Sequence, residues 1–427
     1  MANVYWTGDA ATVAQVTTFT AASGAWESTE YVEIVIGSKA VRYTATGSST
    51  DAQMATGLFN AIIEATGTGD YPEFAAISWE DNEAGVITGT GTPGVKFVAT
   101  ANENADTETF TASTTTAASG PNFASVAANW SGGAVPATGD FVIIADSDVD
   151  ILYDVDTAFP IGSVQLAGFR IDASYTGKIG LPLINELGYE EYLPRYLKVG
   201  LDSSLTVPIG WGPGGGSSRL YLDFQTASTT TVKVFSTGQP EDADEEALRL
   251  LLVHAANVIE IASGSVGLAR EPGQVSTVSV VRLQASDGQD GSSIFRAGSG
   301  CTLATIVAYG GEILTDCALT TVTLQDGNWL HTGGAVTTIV NTAGTLTDQS
   351  TGTIASYTGR AGSTYDHRSD FRAKTYTAVD LYAGATWLDP NAAANTYTGG
   401  IDLNQCRYAD VIIDVGPNRR LTPGSVA

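Results

Sequence analysis

Positive charge is what this chain has least of. Its 427 residues include 20 Lys+Arg against 46 Asp+Glu, a formal net charge of −26. Phosphate backbones are held by Lys and Arg that neutralise them, so the balance argues against DNA or RNA as a partner. An anionic membrane surface is disfavoured for the same reason. Charged residues of both signs make up only 15% of the chain, against roughly 25% in ordinary globular proteins. No apolar run approaches the roughly 18–20 residues of a membrane-spanning helix. The opening Met1-Ala2-Asn3-Val4-Tyr5-Trp6 has neither the basic nor the apolar region of an export signal. Cysteines number three, Cys301, Cys317 and Cys406, with no Cys-x-x-Cys spacing. Neither a disulfide framework nor a zinc site is indicated, and buried free thiols of a reducing cytosol are expected. Histidine is equally scarce: His254, His331 and His367. Asp366 and His367 are adjacent, but neighbours on a strand face opposite ways, so they form no ready dyad. A Gly-x-Ser-x-Gly elbow is missing too.

What is abundant is the material of strands and turns. Hydrophobic residues reach 43%, enough for a sizeable core, and glycine reaches 48 residues, with Thr, Ala and Ser filling much of the rest. Residues 1–16 read as a docking arm, with Tyr5 and Trp6 as anchors onto the same chain or a neighbour. Residues 17–120 predict a small α+β or β-sandwich-like domain. In it, Tyr31–Ile36 and Ala40–Thr46 flank a Gly37-Ser38 turn. A helix near 51–65 follows, capped by Ser49, Thr50 or Asp51. Its Met54, Leu58 and Ile62 share one face, and Gly67 is the expected stop. Strands are expected at Phe74–Trp79, Val86–Gly89, Val95–Thr100 and Thr107–Ser113, before a small polar linker over 112–121.

The rest of the chain repeats. Leu303-Ala304-Thr305-Ile306-Val307 aligns with Leu319–Thr323, then Val336–Val340, then Ile354–Thr358, with a looser copy at Val379–Leu381. Glycines 311, 327, 344 and 362 recur between them, where the chain must turn and often needs φ > 0. Each unit has two short strands and cannot bury its apolar face alone. Copies stacked at about 4.8 Å form a continuous core. The fold class predicted is therefore mainly β: the small domain followed by a parallel β-helix (β-solenoid) over 121–412. An inserted loop near 178–198 carries Tyr189, Tyr192 and Tyr196, a possible helix lies at 241–252, and 413–427 form a C-terminal tail.

Candidate chemistry is thin. Asp146, Asp148 and Asp150 alternate, so on a strand they would share a face that could recruit Ca²⁺, with Asp154 and Asp156 behind. Ile151 and Thr157 stand where an EF-hand needs Gly and Glu, and a solvated strand face is the plainer reading. Glu241-Asp242-Ala243-Asp244-Glu245-Glu246 is expected to be a solvated run, alternatively a patch for a basic partner. The enzymatic alternative is glycan cleavage by two carboxylates. Asp287, Asp290, Asp316, Asp326 and Asp348 lie on neighbouring repeats, and Tyr309, Trp329 and Tyr357 could stack on sugars. The competing reading places those Asp residues at turns, bonded to backbone. Trp211–Ser218 is Gly-rich but lacks the Lys-Ser/Thr end of a phosphate-binding loop.

Two segments carry a resemblance. Asn129-Trp130-Ser131-Gly132-Gly133-Ala134-Val135-Pro136, with Gly139-Asp140-Phe141-Val142-Ile143-Ile144, resembles the entry to the first turn of β-helical adhesin, autotransporter and phage proteins. There Trp130 would cap the solenoid core and Pro136 would set a turn. Tyr31, Ile36-Gly37, Tyr43–Thr46, Ile87–Thr90 and Thr92–Phe97 are similar to small domains of tailed-bacteriophage head and tail proteins. The resemblance covers about a quarter of the chain. It implies a phage or prophage virion structural protein made in the host cytoplasm. A capsid decoration protein is expected, with no catalytic residues and no resident cofactor. It would be a homotrimer docking on the major capsid protein or other virion proteins. The alternative is a tailspike or fibre that binds or cleaves host polysaccharide.

Overall fold

The computed structural model describes residues 2–416 except 153–159, 185–189, 195, 203–204, 211–219, 226–228, 238–245, 285–292, 391–393 and 405. The chain divides into two compact units. One holds residues 1–6, 136–181 and 192–427, the other residues 7–135 and 182–191.

The larger unit is a β-solenoid. Two long parallel sheets, of fourteen and eleven strands, run through it. From Tyr196–Gly200 to Thr386–Leu388 successive strands alternate between the eleven-stranded and the fourteen-stranded sheet, so each repeat adds one strand to each wall. The register follows the repeat alignment. Leu303 lies on Leu319, Leu319 on Val336 and Val336 on Ile354, while Ile306, Val322, Ile339 and Tyr357 form a second column. Both columns are buried although they stand three residues apart; from the second column on burial alternates with a period of two, as at Ile306 and Ala308 or Val322 and Leu324. The turn glycines divide in role. Gly311, Gly327 and Gly362 have φ of 87°, 94° and 86°. Gly344 does not, and is needed because a Cβ there would sit 2.6 Å from Leu324 Cγ.

The start of the chain is part of this unit. Asn3–Tyr5 pairs in parallel with Phe141–Ile143, and the Trp6 amide donates to Ile143 O at 3.1 Å. The interruption expected over 178–198 contains strands Ile179–Ile184 and Glu190–Pro194, and Tyr196 opens the eleven-stranded sheet. Tyr189 lies outside the described residues. At 241–252 the described part is not helical: Leu248–Leu252 is a strand, buried at alternate positions. Of the expected tail, Ile412–Asp414 still pairs with Thr386–Leu388, and 417–427 lie outside the described residues.

The smaller unit combines a four-stranded antiparallel sheet (Thr109–Thr116, Val16–Ala22, Val86–Thr90, Ser78–Asp81), a three-stranded one (Lys39–Thr44, Tyr31–Ile36, Ala99–Glu103) and a helix. The helix spans Asp51–Thr68, with Thr50 as N-cap in a capping box with Gln53. It buries Met54, Ala55, Leu58 and Ile62 against Phe19, Trp26, Ile34 and Phe74. Gly67 does not stop it. The stop is Gly69, whose φ of 80° ends the helix in the left-handed conformation. The expected strand at Phe74–Trp79 gives way to a short helix, Pro72–Ala75, before the strand Ser78–Asp81. Proline at the first helical position and a buried Phe74 account for that turn.

Candidate functional site

Inside the last repeats of the solenoid, a polar column replaces the apolar one. Thr315 lies on His331, and His331 on Asp348, in the eleven-stranded sheet. Two residues earlier on the same strands Ile313, Trp329 and Leu346 form the apolar column beside it. All six side chains are buried.

Hydrogen bonds fix the protons. Trp329 Nε1–H donates to Thr315 Oγ1 at 2.9 Å, and Thr315 lies 2.9 Å from His331 Nδ1. His331 Nε2 faces Gly334 O at 3.1 Å, which can only accept, so Nε2 carries the proton and Nδ1 accepts from Thr315. Burial holds the His331 pKa below its ordinary value. His367 donates from Nδ1 to Asp348 O at 2.8 Å, and its buried Nε2 has no hydrogen-bond partner.

Asp348 is the hub. Its Oδ1 accepts from Ser350 N and Ser350 Oγ at 3.0 and 2.9 Å, and its Oδ2 from Tyr365 OH at 2.9 Å. Oδ2 also pairs with Lys374 Nζ, both side chains being fully buried. Lys374 donates further to Ser350 Oγ at 2.7 Å and Ser350 O at 3.2 Å. Burial works against the Asp348 carboxylate. The Lys374 ammonium outweighs that and holds its pKa below the ordinary carboxylate value. Tyr365 gives its proton to Asp348, so Tyr376 is the donor in the 2.8 Å contact between the two hydroxyls. Burial raises the pKa of both tyrosines. The Tyr365 ring stacks on Trp387 with centroids 3.9 Å apart. With four partners Asp348 has no free lone pair, and its side chain is fully buried. The cluster is suited to hold rungs in register, not to transfer protons to a substrate.

The second cluster lies around Glu246. Expected to be solvated, this carboxylate is fully buried, and it meets Arg249 Nε at 3.0 Å, Arg270 Nε at 2.7 Å and Arg296 Nη1 at 3.7 Å. Register explains the site. Gly267 lies between Arg249 and Arg296 in one column, and its missing side chain leaves the space Glu246 occupies. A Cβ on Gly267 would sit 2.9 Å from Glu246 Cδ. Arg249 also covers the Tyr221 ring at 4.9 Å, and the Tyr221 ring lies tilted against Tyr196, centroids 5.0 Å apart. The other members of the acidic run, 241–245, lie outside the described residues.

The remaining candidates are scattered. Trp6 is buried and donates Nε1–H to Val149 O at 3.2 Å, while Tyr5 is 41% exposed. Asp146, Asp148 and Asp150 are not on a strand, and Asp146 has φ of 52°, which breaks the alternation that would align them. Asp150 accepts from Lys178 N at 2.7 Å. Asp154, Asp156, Asp287, Asp290 and 211–218 lie outside the described residues. Among the described residues no group of three His, Cys, Asp or Glu could hold a metal ion. Trp329 and Tyr357 are interior and unavailable to sugars; Tyr309 is 45% exposed. Asp366 pairs with Arg368, 2.7 Å from its Nη2, rather than with His367. In the smaller unit Trp130 is buried and donates to Ala124 O at 2.8 Å. An open recess of about 450 Å³ beside the helix, lined by Tyr43, Gln53, Thr56 and Asn60, carries no carboxylate, histidine or thiol.

No family model, curated protein or solved structure matches the chain.

Proposed function

We propose that this chain is a non-enzymatic structural protein of a tailed-phage or prophage virion. In this reading it decorates the capsid as a homotrimer docked on the major capsid protein. One observation carries the preference for a scaffold over an enzyme: of the candidates for a glycan groove, Asp348, Trp329 and Tyr357 are locked in the solenoid interior. Glycosidases need two carboxyls facing the sugar across about 5–10 Å. Asp348 has four internal partners instead, and Trp329 and Tyr357 are core residues. A net charge of −26 further supports a protein rather than a nucleic-acid partner. The reading requires no cofactor. The tailspike alternative is favoured by exposed Tyr309 with Asp316 and Asp326 also on the outside.

Mass spectrometry of purified virions, with copy number relative to the major capsid protein, tests the proposal. Copy numbers comparable to the shell protein are expected. A handful of copies points to a tail component and makes polysaccharide digestion the next assay. Absence from virions overturns both readings. Light scattering of the isolated protein checks the trimer.

A further inference from the structure

Two of the three cysteines share a column. Ser276 lies on Cys301 in the fourteen-stranded sheet, and Leu303 lies on Leu319 one step later. Cys301 and Cys317 each stand two residues before those leucines, so the same step brings the thiols onto adjacent rungs. Both are buried, and the Cys317 thiol is hydrogen-bonded to Cys301. Cys301 directs its own S–H to Leu268 O at 3.2 Å, so Cys317 is the donor between the two sulfurs. On the following rung comes Gly334, where a Cβ would run into the Cys317 backbone. Cys317 therefore has no side chain above it and turns to Cys301. Adjacent parallel strands place their Cα atoms about 4.8 Å apart, within the roughly 4.4–6.8 Å that a disulfide spans.

We propose that Cys301 and Cys317 are a convertible thiol pair, reduced as the chain is made and joined rung to rung when it meets a small-molecule disulfide such as oxidised glutathione. The thiolate of one cysteine attacks the glutathione S–S bond and releases one glutathione as thiolate. The second protein sulfur then attacks the mixed disulfide and releases the other. The protein dithiol loses two electrons and two protons, and one glutathione disulfide becomes two thiols. The hydrogen bond to Cys301 and burial push the Cys317 pKa well above its ordinary value, so conversion is slow. The bond ties the strand Cys301–Ala308 to the next strand of its sheet, Leu319–Leu324, and encloses the strand Glu312–Thr315 between them. It would keep a rung from peeling once the protein leaves a reducing compartment.

The test is thiol counting on the full chain. Native protein is incubated with oxidised glutathione at mildly alkaline pH, quenched, unfolded and alkylated, then mapped by mass spectrometry. A parallel sample is refolded in the same reagent, so that slow access to the buried pair cannot hide the outcome. The expected result is a mass loss of two hydrogen atoms, one linked peptide pair containing Cys301 and Cys317, and alkylation of Cys406 alone. Reduction should restore all three thiols and lower the melting temperature. Cys406→Ser should leave the bridge intact, and Cys317→Ser should leave Cys301 open to alkylation after reduction of any glutathione adduct. Alkylation of all three cysteines in both oxidised samples overturns the proposal. So does a glutathione adduct that never resolves, or a bridge that includes Cys406.

Discussion

Replacing Lys374 by Met should destabilise the solenoid far more than its one lost charge suggests. The substitution nearly conserves volume but strips the counter-ion from Asp348, a carboxylate with no solvent exposure. It also removes two hydrogen bonds to Ser350. Leaving one partner of a buried pair uncompensated costs about 3–5 kcal/mol. Asp348→Asn should also cost several kcal/mol, because it leaves Lys374 alone. The double variant should lose much less than the sum, with a coupling of about 2 kcal/mol or more. The pH dependence should reverse. In the native chain the Asp348 pKa is held low. Its stabilisation is present above the unfolded carboxylate value and is lost as pH falls through the folded one. In Lys374→Met, burial without the cation raises that pKa. The penalty is then greatest at neutral pH and shrinks as the carboxyl takes up a proton. Urea unfolding followed by tryptophan fluorescence reads this, with Trp387, stacked on the tyrosine that donates to Asp348, among seven tryptophans. A loss no larger than the roughly 1 kcal/mol of a surface pair, or a pH slope of unchanged sign, would refute the reasoning.

Gly267→Ala should cost about 1–3 kcal/mol, because its Cβ enters the space of Glu246 between two arginines. Denaturant unfolding of Gly267→Ala beside Gly273→Ala, at an open turn with φ of 82°, separates crowding from backbone strain. Trp6→Ala should cost about 3–5 kcal/mol and free the edge of Phe141–Ile144, read as loss of amide-exchange protection there. Thr50→Ala should cost about 1 kcal/mol by removing the helix cap, measured by thermal unfolding. Because His331 is held neutral by burial, stability should fall as pH drops below its ordinary value of 6.5. His331→Gln should flatten the denaturation midpoint against pH in that window, above the carboxylate range.

The solenoid was legible because its physics is local and repeated. Leu303, Leu319, Val336 and Ile354 each place an apolar residue at the same point of a short strand. Parallel stacking then leaves one register that keeps them inside. The helix was legible from Met54, Leu58 and Ile62, though not its end. Gly67 and Gly69 are equally permissive residues, and only the course of the chain selects which adopts positive φ. The acids at 146–150 alternate in sequence but share no strand face, because Asp146, with φ of 52°, leaves extended backbone.

A signal for the polar column was present: His331 and Asp348 have the same strand parity as Trp329 and Leu346, which points them inward. Sequence alone could not show that burial is tolerable there. That depends on Lys374 from a later repeat and on Tyr365 and Ser350, which assemble around Asp348 only when the rungs stack. Glu246 depends in the same way on Gly267 and on arginines from three segments. The period and the inward face are written in the chain, since both follow from nearest neighbours along it. Tertiary structure alone decided which charges are solvated and which are cancelled inside, because that is set by what the neighbouring rungs bring to the same point.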